Sequence, residues 1–142
     1  MPILNYTTKI DADQTAGEIR IILRRHKAKK ILEEYDEKDR LAALSFIIDT
    51  PTGEKGIRLP ANVKGVVEAL RKENVLKDYD HAERVAWRII KDWTEAQMAI
   101  IDAGMASMEE VFFPYLLGPD NKTLFEQYQE RQALLAGSDK LA

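Results

Sequence analysis

The sequence predicts an α+β fold: a small antiparallel sheet in the order β-α-β-β-β, packed with C-terminal helices, one of them long and central. Three observations predict it. Residues 41–49 alternate, with Leu44, Phe46 and Ile48 on one side, and tight turns separate them from short extended neighbours. Residues 82–117 carry apolar side chains at helical spacing, interrupted by Gly104 and ended near Phe113 by Pro114. A chain of 142 residues, 45% hydrophobic and 32% charged, suits one domain with its own core. That domain is expected over 1–136, with its helical part starting near residue 80 and a frayed tail at 137–142.

Residues 3–10 are expected as the first strand, because Tyr6, Thr7 and Thr8 favour extended structure. Either Asp13 or Thr15 caps the helix that follows, the latter with capping-box spacing to Glu18. This helix runs to about His26, with Ile19, Ile22, Leu23 and His26 on its inner face. Residues 28–35 read as a strand, Asp36-Glu37-Lys38-Asp39 as a turn, and 41–49 as the central strand. Thr50-Pro51-Thr52-Gly53 turns the chain into a third meander strand at 55–59. Asn62 caps a second helix whose apolar side is Val63, Val66, Val67 and Leu70. Residues 74–80 link it to the long helix, with Asp80 as the expected cap. Gly118-Pro119-Asp120-Asn121 makes a turn, and a last helix over 123–136 is expected to dock through Leu124, Phe125, Tyr128 and Leu135.

The long helix carries more apolar surface than one buried face needs. Val85, Ile89, Trp93, Ala96, Ile100 and Ala103 form one stripe. Trp87, Ile90, Met98, Ile101, Met105 and Met108 form a second, nearly opposite. Arg84, Arg88, Lys91, Asp92, Glu95 and Asp102 fill the remaining arc. Two readings follow: a central helix buried inside its own domain, or a helix whose second stripe meets another subunit in a homo-oligomer. Methionine adapts to binding surfaces and tryptophan is enriched in interface cores, which is the case for the second reading. No stretch of about 18 apolar residues occurs, so no membrane partner is expected.

Charge is unevenly spread. Residues 1–91 hold 18 Lys and Arg against 15 Asp and Glu, whereas residues 92–142 hold 3 against 9, within a net charge of −3. Arg20, Arg24, Arg25, Lys27, Lys29 and Lys30 gather around the end of the first helix. They are either a soluble helix end that suits the helix dipole or a phosphate-binding patch for nucleic acid, which Arg40, Arg58 and Lys64 would extend. No aromatic-rich strand of the kind that stacks RNA bases accompanies them.

Signatures of catalysis are missing. The chain has no cysteine, so thiolate chemistry and disulfides are excluded, in keeping with a reducing cytoplasm. Its start lacks the basic region and apolar run of a signal peptide. His26 and His81 lie outside any metal-binding motif, and no GxGxxG, Walker A or GxSxG loop occurs. The acidic residues Glu33, Glu34, Asp36, Glu37 and Asp39 read as a solvated turn. Asp49 with Glu54 and Lys55 has a nuclease-like look, but a turn intervenes and adjacent strand residues face opposite ways. No catalytic residue, cofactor or metal is therefore read from the sequence, and a metal-dependent nuclease stands behind both binding readings.

Two stretches carry a resemblance: Pro2-Ile-Leu-Asn-Tyr-Thr-Thr-Lys-Ile10, and Ala82-Glu-Arg-Val-Ala-Trp-Arg-Ile-Ile-Lys-Asp-Trp-Thr-Glu-Ala-Gln-Met98 with its continuation Glu109-Glu-Val-Phe-Phe-Pro-Tyr-Leu116. They resemble a family of small bacteriophage- and prophage-encoded proteins of unassigned function, most specifically in the long helix. The resemblance implies a viral origin and a bacterial host cytoplasm, and it brings no site residues. The expectation is a self-associating, non-enzymatic phage accessory protein that binds nucleic acid in phage DNA metabolism. The alternative is a module that binds or inhibits a host protein.

Overall fold

A computed structural model describes the backbone of residues 2–141 and the side chains of residues 2–137. The elements are α1 (Ala12–Arg25), β1 (Lys30–Tyr35), β2 (Leu41–Thr50), β3 (Gly53–Arg58), α2 (Val63–Lys72), α3 (Tyr79–Asp102), α4 (Met108–Val111) and α5 (Leu124–Leu141). A 3-10 turn, Phe113–Tyr115, follows α4. The class is α+β, with the antiparallel sheet ordered β1-β2-β3. The expected frayed tail at 137–142 falls, beyond residue 137, outside the described side chains.

The alternation of β2 sets the core. Leu44, Phe46 and Ile48 are buried, and Phe46 lies in register with Ile31 of β1 and Ile57 of β3. Ala16, Ile19 and Leu23 of α1 and Trp87, Ile90 and Met98 of α3 cover this row. Phe112 closes it, with its ring edge-on to Phe46 at 5.6 Å and to Trp93 at 5.5 Å. A second cluster joins Ala82 and Val85 of α3 to Leu70 of α2, with Val63, Val66, Val67, Ile89, Ile3 and Tyr6 around it. Over its N-terminal half α3 is thus covered on both apolar sides by its own chain, while Ala96 and Ala103 at the far end of the first stripe are exposed.

The first expected strand does not form. Residues 3–10 make turns, Tyr6 N–H to the Ile3 carbonyl at 3.3 Å and Thr8 N–H to the Asn5 carbonyl at 3.0 Å, with Asn5 at φ +65°. Side chains from the helices take the backbone groups a sheet would have paired. Ile3 N–H donates to Glu73 at 3.1 Å and His81 Nε2 donates to the Tyr6 carbonyl at 2.6 Å. The Asn5 amide adds a bond to Asp92 at 2.8 Å. At the other side of the sheet, Leu117 N–H donates to the Gly56 carbonyl at 2.8 Å and Leu116 bridges Ile57, covering the β3 edge. A Cβ on Gly56 would stand 3.2 Å from Leu117 Cδ1, so a larger residue there would push the Leu117 side chain back by a few tenths of an ångström.

The expected helix over 82–117 is three pieces. Gly104 at φ +73° terminates α3, with Gly104 N–H bonded to Ile101 O and Met105 N–H to Ile100 O, both at 3.0 Å. This is a Schellman stop. Ser107 and Glu110 then form a capping box that starts α4. Asp78, not Asp80, caps α3, accepting from His81 N–H at 2.8 Å. Asp11 occupies the N-cap position of α1, while Thr15, one expected cap, is buried within the helix. Asn62 caps α2 as expected, at 3.1 Å from Gly65 N–H.

α5 departs from expectation too. Thr123 and Glu126 form its capping box. Leu124 packs against the core, but Phe125, Tyr128 and Leu135 do not dock: they are 43%, 60% and 51% exposed.

Met98 is 2% exposed and Met105 is 74% exposed, although both lie on the same sequence stripe. Met98→Glu should therefore unfold the protein, since an unpaired charge would enter the core. Met105→Glu should leave stability within about 0.5 kcal/mol. Urea titrations of the two variants, followed by circular dichroism, check this.

Candidate functional site

The cationic residues around the end of α1 separate into two groups. Helix α1 stops with Lys27 at φ +69°, Lys27 N–H bonded to Arg24 O at 3.2 Å and Ala28 N–H to Leu23 O at 3.0 Å. This is the same stop that Gly104 makes, but with lysine in the left-handed position. Among the described residues the other non-glycine positions at positive φ are Asn5, Asp39, Asn74 and Asn121, types that tolerate it. Lys27 alone among them has no short polar side chain to offset the strain.

Arg20 is neutralised by Glu33, which also accepts from the Tyr35 hydroxyl. The Tyr35 bond, more than Arg20, holds the Glu33 carboxyl below its usual range against the opposing effect of burial. Lys29 is neutralised by Glu54 at 2.7 Å and Asp49 at 3.3 Å. These two bonds raise its pKa, and the Glu54 carboxyl is lowered in return. Arg24, Arg25, Lys27 and Lys30 are exposed, and none makes an ion pair among the described residues. Arg24, Arg25 and Lys27 form a cationic corner at the end of α1, whereas Lys30 opens β1 on the sheet face opposite the core row.

Beside this corner lies a cleft of about 450 Å³, lined by Arg25, His26, Lys27 and Asp49 over a floor of Ile48, Ile101 and Met108. His26 latches its two walls together. Nδ1 donates to the Ile22 carbonyl at 2.8 Å, and Nε2 donates to Asp102 at 3.0 Å. Burial alone would lower the His26 pKa. The Asp102 hydrogen bond, the Ile22 carbonyl and the Asp102 charge outweigh it, so the pKa is raised above the usual 6.5.

The remaining expected site residues lie elsewhere. Arg40 sits between Asp80 at 2.6 Å and Glu83 at 2.9 Å, with its guanidinium 4.6 Å from the centre of the Tyr79 ring. It shares a cleft with Lys64. Arg58 donates to the Asn121 carbonyl at 3.2 Å and pairs with Glu126 at 3.5 Å. Arg40 and Arg58 are neutralised, and Lys64 lies with Arg40 in a cleft that holds none of the residues at the end of α1. Trp87, Ile90 and Met98, expected at an oligomer interface, lie in the chain's own core because that stripe is the one facing the sheet and α1. Ile101 and Met108 are half-buried at the cleft floor, and only Met105 is exposed.

Asp49 and Glu54 are register partners across the β2–β3 turn, so the fold does bring the nuclease-like pair together; Lys29 lies between them. Asp36 spends its carboxylate on the turn, accepting from Lys38 N–H at 2.8 Å and Arg40 N–H at 3.0 Å. Among the described residues no group of three or more His, Asp or Glu side chains is placed to hold a metal ion. His81 is buried, accepting from Lys77 N–H at Nδ1 and donating to Tyr6 at Nε2. Among the described residues no helix is long and apolar enough to cross a membrane. No family model, curated protein or solved structure matches the chain.

The latch gives stability a pH dependence. Because the folded pKa of His26 is raised, its contribution is complete below about pH 6.5 and declines as pH rises through the folded value. Asp102→Asn should flatten this slope. Urea midpoints of both proteins between pH 5.5 and 8.5 check it, and identical slopes would remove the latch.

Proposed function

We propose that this chain is a non-enzymatic accessory protein of a bacteriophage or prophage, and that it binds nucleic acid in the host cytoplasm through Arg24, Arg25 and Lys27. The setting rests on the sequence resemblance. The binding reading rests chiefly on one observation: Arg24, Arg25 and Lys27 stand exposed at the end of α1 without an ion pair among the described residues, while Arg20 and Lys29 near them are neutralised. The helix dipole accounts for basic residues in the last turn of α1. It does not account for lysine in a left-handed position that glycine fills at no steric cost. An unpaired cationic surface of this kind contacts phosphates, and such contacts release counterions and weaken as salt rises.

Fluorescence anisotropy of labelled single- and double-stranded DNA, titrated from low to physiological salt, tests the reading. With three phosphate contacts, log affinity for duplex should fall against log salt with a slope of roughly −3. Arg24→Glu with Arg25→Glu should abolish binding without loss of fold. Lys27→Gly should weaken binding while relieving strain of about 1 kcal/mol. Absence of binding at low salt, or unchanged affinity in the double variant, rules this corner out.

Helix α5 favours a second reading, a host-protein partner. Phe125, Tyr128, Leu134 and Leu135 are all exposed on it. A complex held there should withstand raised salt and be lost in Phe125→Ser with Tyr128→Ser, while stability changes by less than about 0.5 kcal/mol per site. Salt-resistant complexes unaffected by these substitutions would discard it.

A further inference from the structure

The two edges of the sheet are treated differently. The β3 edge is covered by Leu116 and Leu117, whereas among the described residues β1 pairs with β2 alone. An uncovered strand presents unpaired N–H and C=O groups and invites another strand. Charged side chains and bulges are common protections against this, and β1 has both, with an irregularity between Glu34 and Tyr35. That irregularity confines regular pairing to Lys30–Glu34, whose middle residue is Leu32.

The charges within this segment are arranged symmetrically. Lys30, Leu32 and Glu34 are in register with Ile47, Ser45 and Ala43 of β2, so they share the face of the sheet opposite the core row Ile31, Phe46 and Ile57. All three are exposed, Leu32 by 48%. Lys30 and Glu34 stand two residues to either side of Leu32 and carry opposite signs. Charges placed to repel an incoming strand would repel a copy of themselves. These do the reverse: an antiparallel copy centred on Leu32 sets each Lys30 opposite the other copy's Glu34, and Leu32 opposite Leu32. Both kinds of cross-strand pair are favourable.

We propose that two copies of this chain pair through β1, antiparallel about a two-fold axis at Leu32, to form one continuous six-stranded sheet. The two-fold axis runs perpendicular to the sheet, so both α1 helices lie on the same face. The two Lys30 residues then stand roughly 14 Å apart along the strand direction, four residues of extended chain. The stripe containing Trp87 and Met98 is not used, since it is already buried. This inference goes beyond nucleic-acid binding and does not depend on it.

The test uses the full chain without nucleic acid. Sedimentation equilibrium at micromolar to hundred-micromolar concentration should show a monomer–dimer equilibrium. Directly opposed residues in antiparallel strands lie about 4.5–5.5 Å apart at Cα, within disulfide range. The protein has no cysteine, so Leu32→Cys should cross-link rapidly and cleanly under mild oxidation, well ahead of Leu4→Cys, an exposed control. Lys30→Glu should weaken the dimer on the order of tenfold, because it creates two like-charge pairs. Lys30→Glu with Glu34→Lys should restore it. A monomer throughout, equal cross-linking at Leu4 and Leu32, or no recovery in the double reversal would each overturn the proposal.

Discussion

A helix that must be buried on two opposite sides constrains everything around it. Trp87, Ile90 and Met98 of α3 need the sheet and α1 on one flank, while Ala82 and Val85 need α2 on the other. The sheet has only three strands and cannot reach around the helix, so the second flank requires a separate layer. That layer is α2 together with the N-terminal turns, fastened by Glu73, His81 and Asp92 through hydrogen bonds to Ile3, Tyr6 and Asn5. His81 is buried because it occupies this seam, where its two nitrogens serve backbone groups from both sides.

Much of this was legible in the sequence, and the failures share a cause. The meander, α2 with its Asn62 cap, and the two apolar stripes of α3 follow from local periodicity, which survives folding when burial agrees with it. Residues 3–10 do not follow, because their strand propensity lost to partners more than sixty residues away that no local pattern reveals. Periodicity also continued past Gly104 although the helix does not. Gly104 and the Ser107–Glu110 capping box were both visible as stop and start signals, and an apolar pattern at helical spacing concealed them. Continuity of the second stripe then suggested one surface, whereas Met98 belongs to the core and Met105 lies beyond the break.

The candidate site was legible as composition but not as chemistry. Six cations near the end of α1 are evident in the sequence; which of them remain unpaired depends on where β1, β2 and β3 place their carboxylates. Glu33 reaches Arg20 from the adjacent strand, and the β2–β3 turn delivers Asp49 and Glu54 to Lys29. At the end of the helix, among the described residues, no strand carboxylate reaches Arg24, Arg25 or Lys27. The left-handed Lys27 left no trace in residue types, since glycine or asparagine is the usual mark of such a stop. The His26–Asp102 contact spans 76 residues and exists only because α3 ends where it does.

The open β1 edge is a consequence of the same constraint. The chain contains one N-terminal segment of extended propensity, and the second flank of α3 takes it. A further bridge-forming piece among the described residues, Leu116–Leu117, returns to β3 because the break at Gly104 and the turn at Pro114 bring Phe112 against Phe46 and Trp93. With Phe112 fixed over the core, the residues after it reach the near edge and not the far one. Nothing within the described chain is then left for β1, whose backbone is satisfied on the far side either by water or by another strand. Water asks nothing of the side chains. A second strand asks for complementary partners at fixed spacing, and Lys30, Leu32 and Glu34 have that spacing.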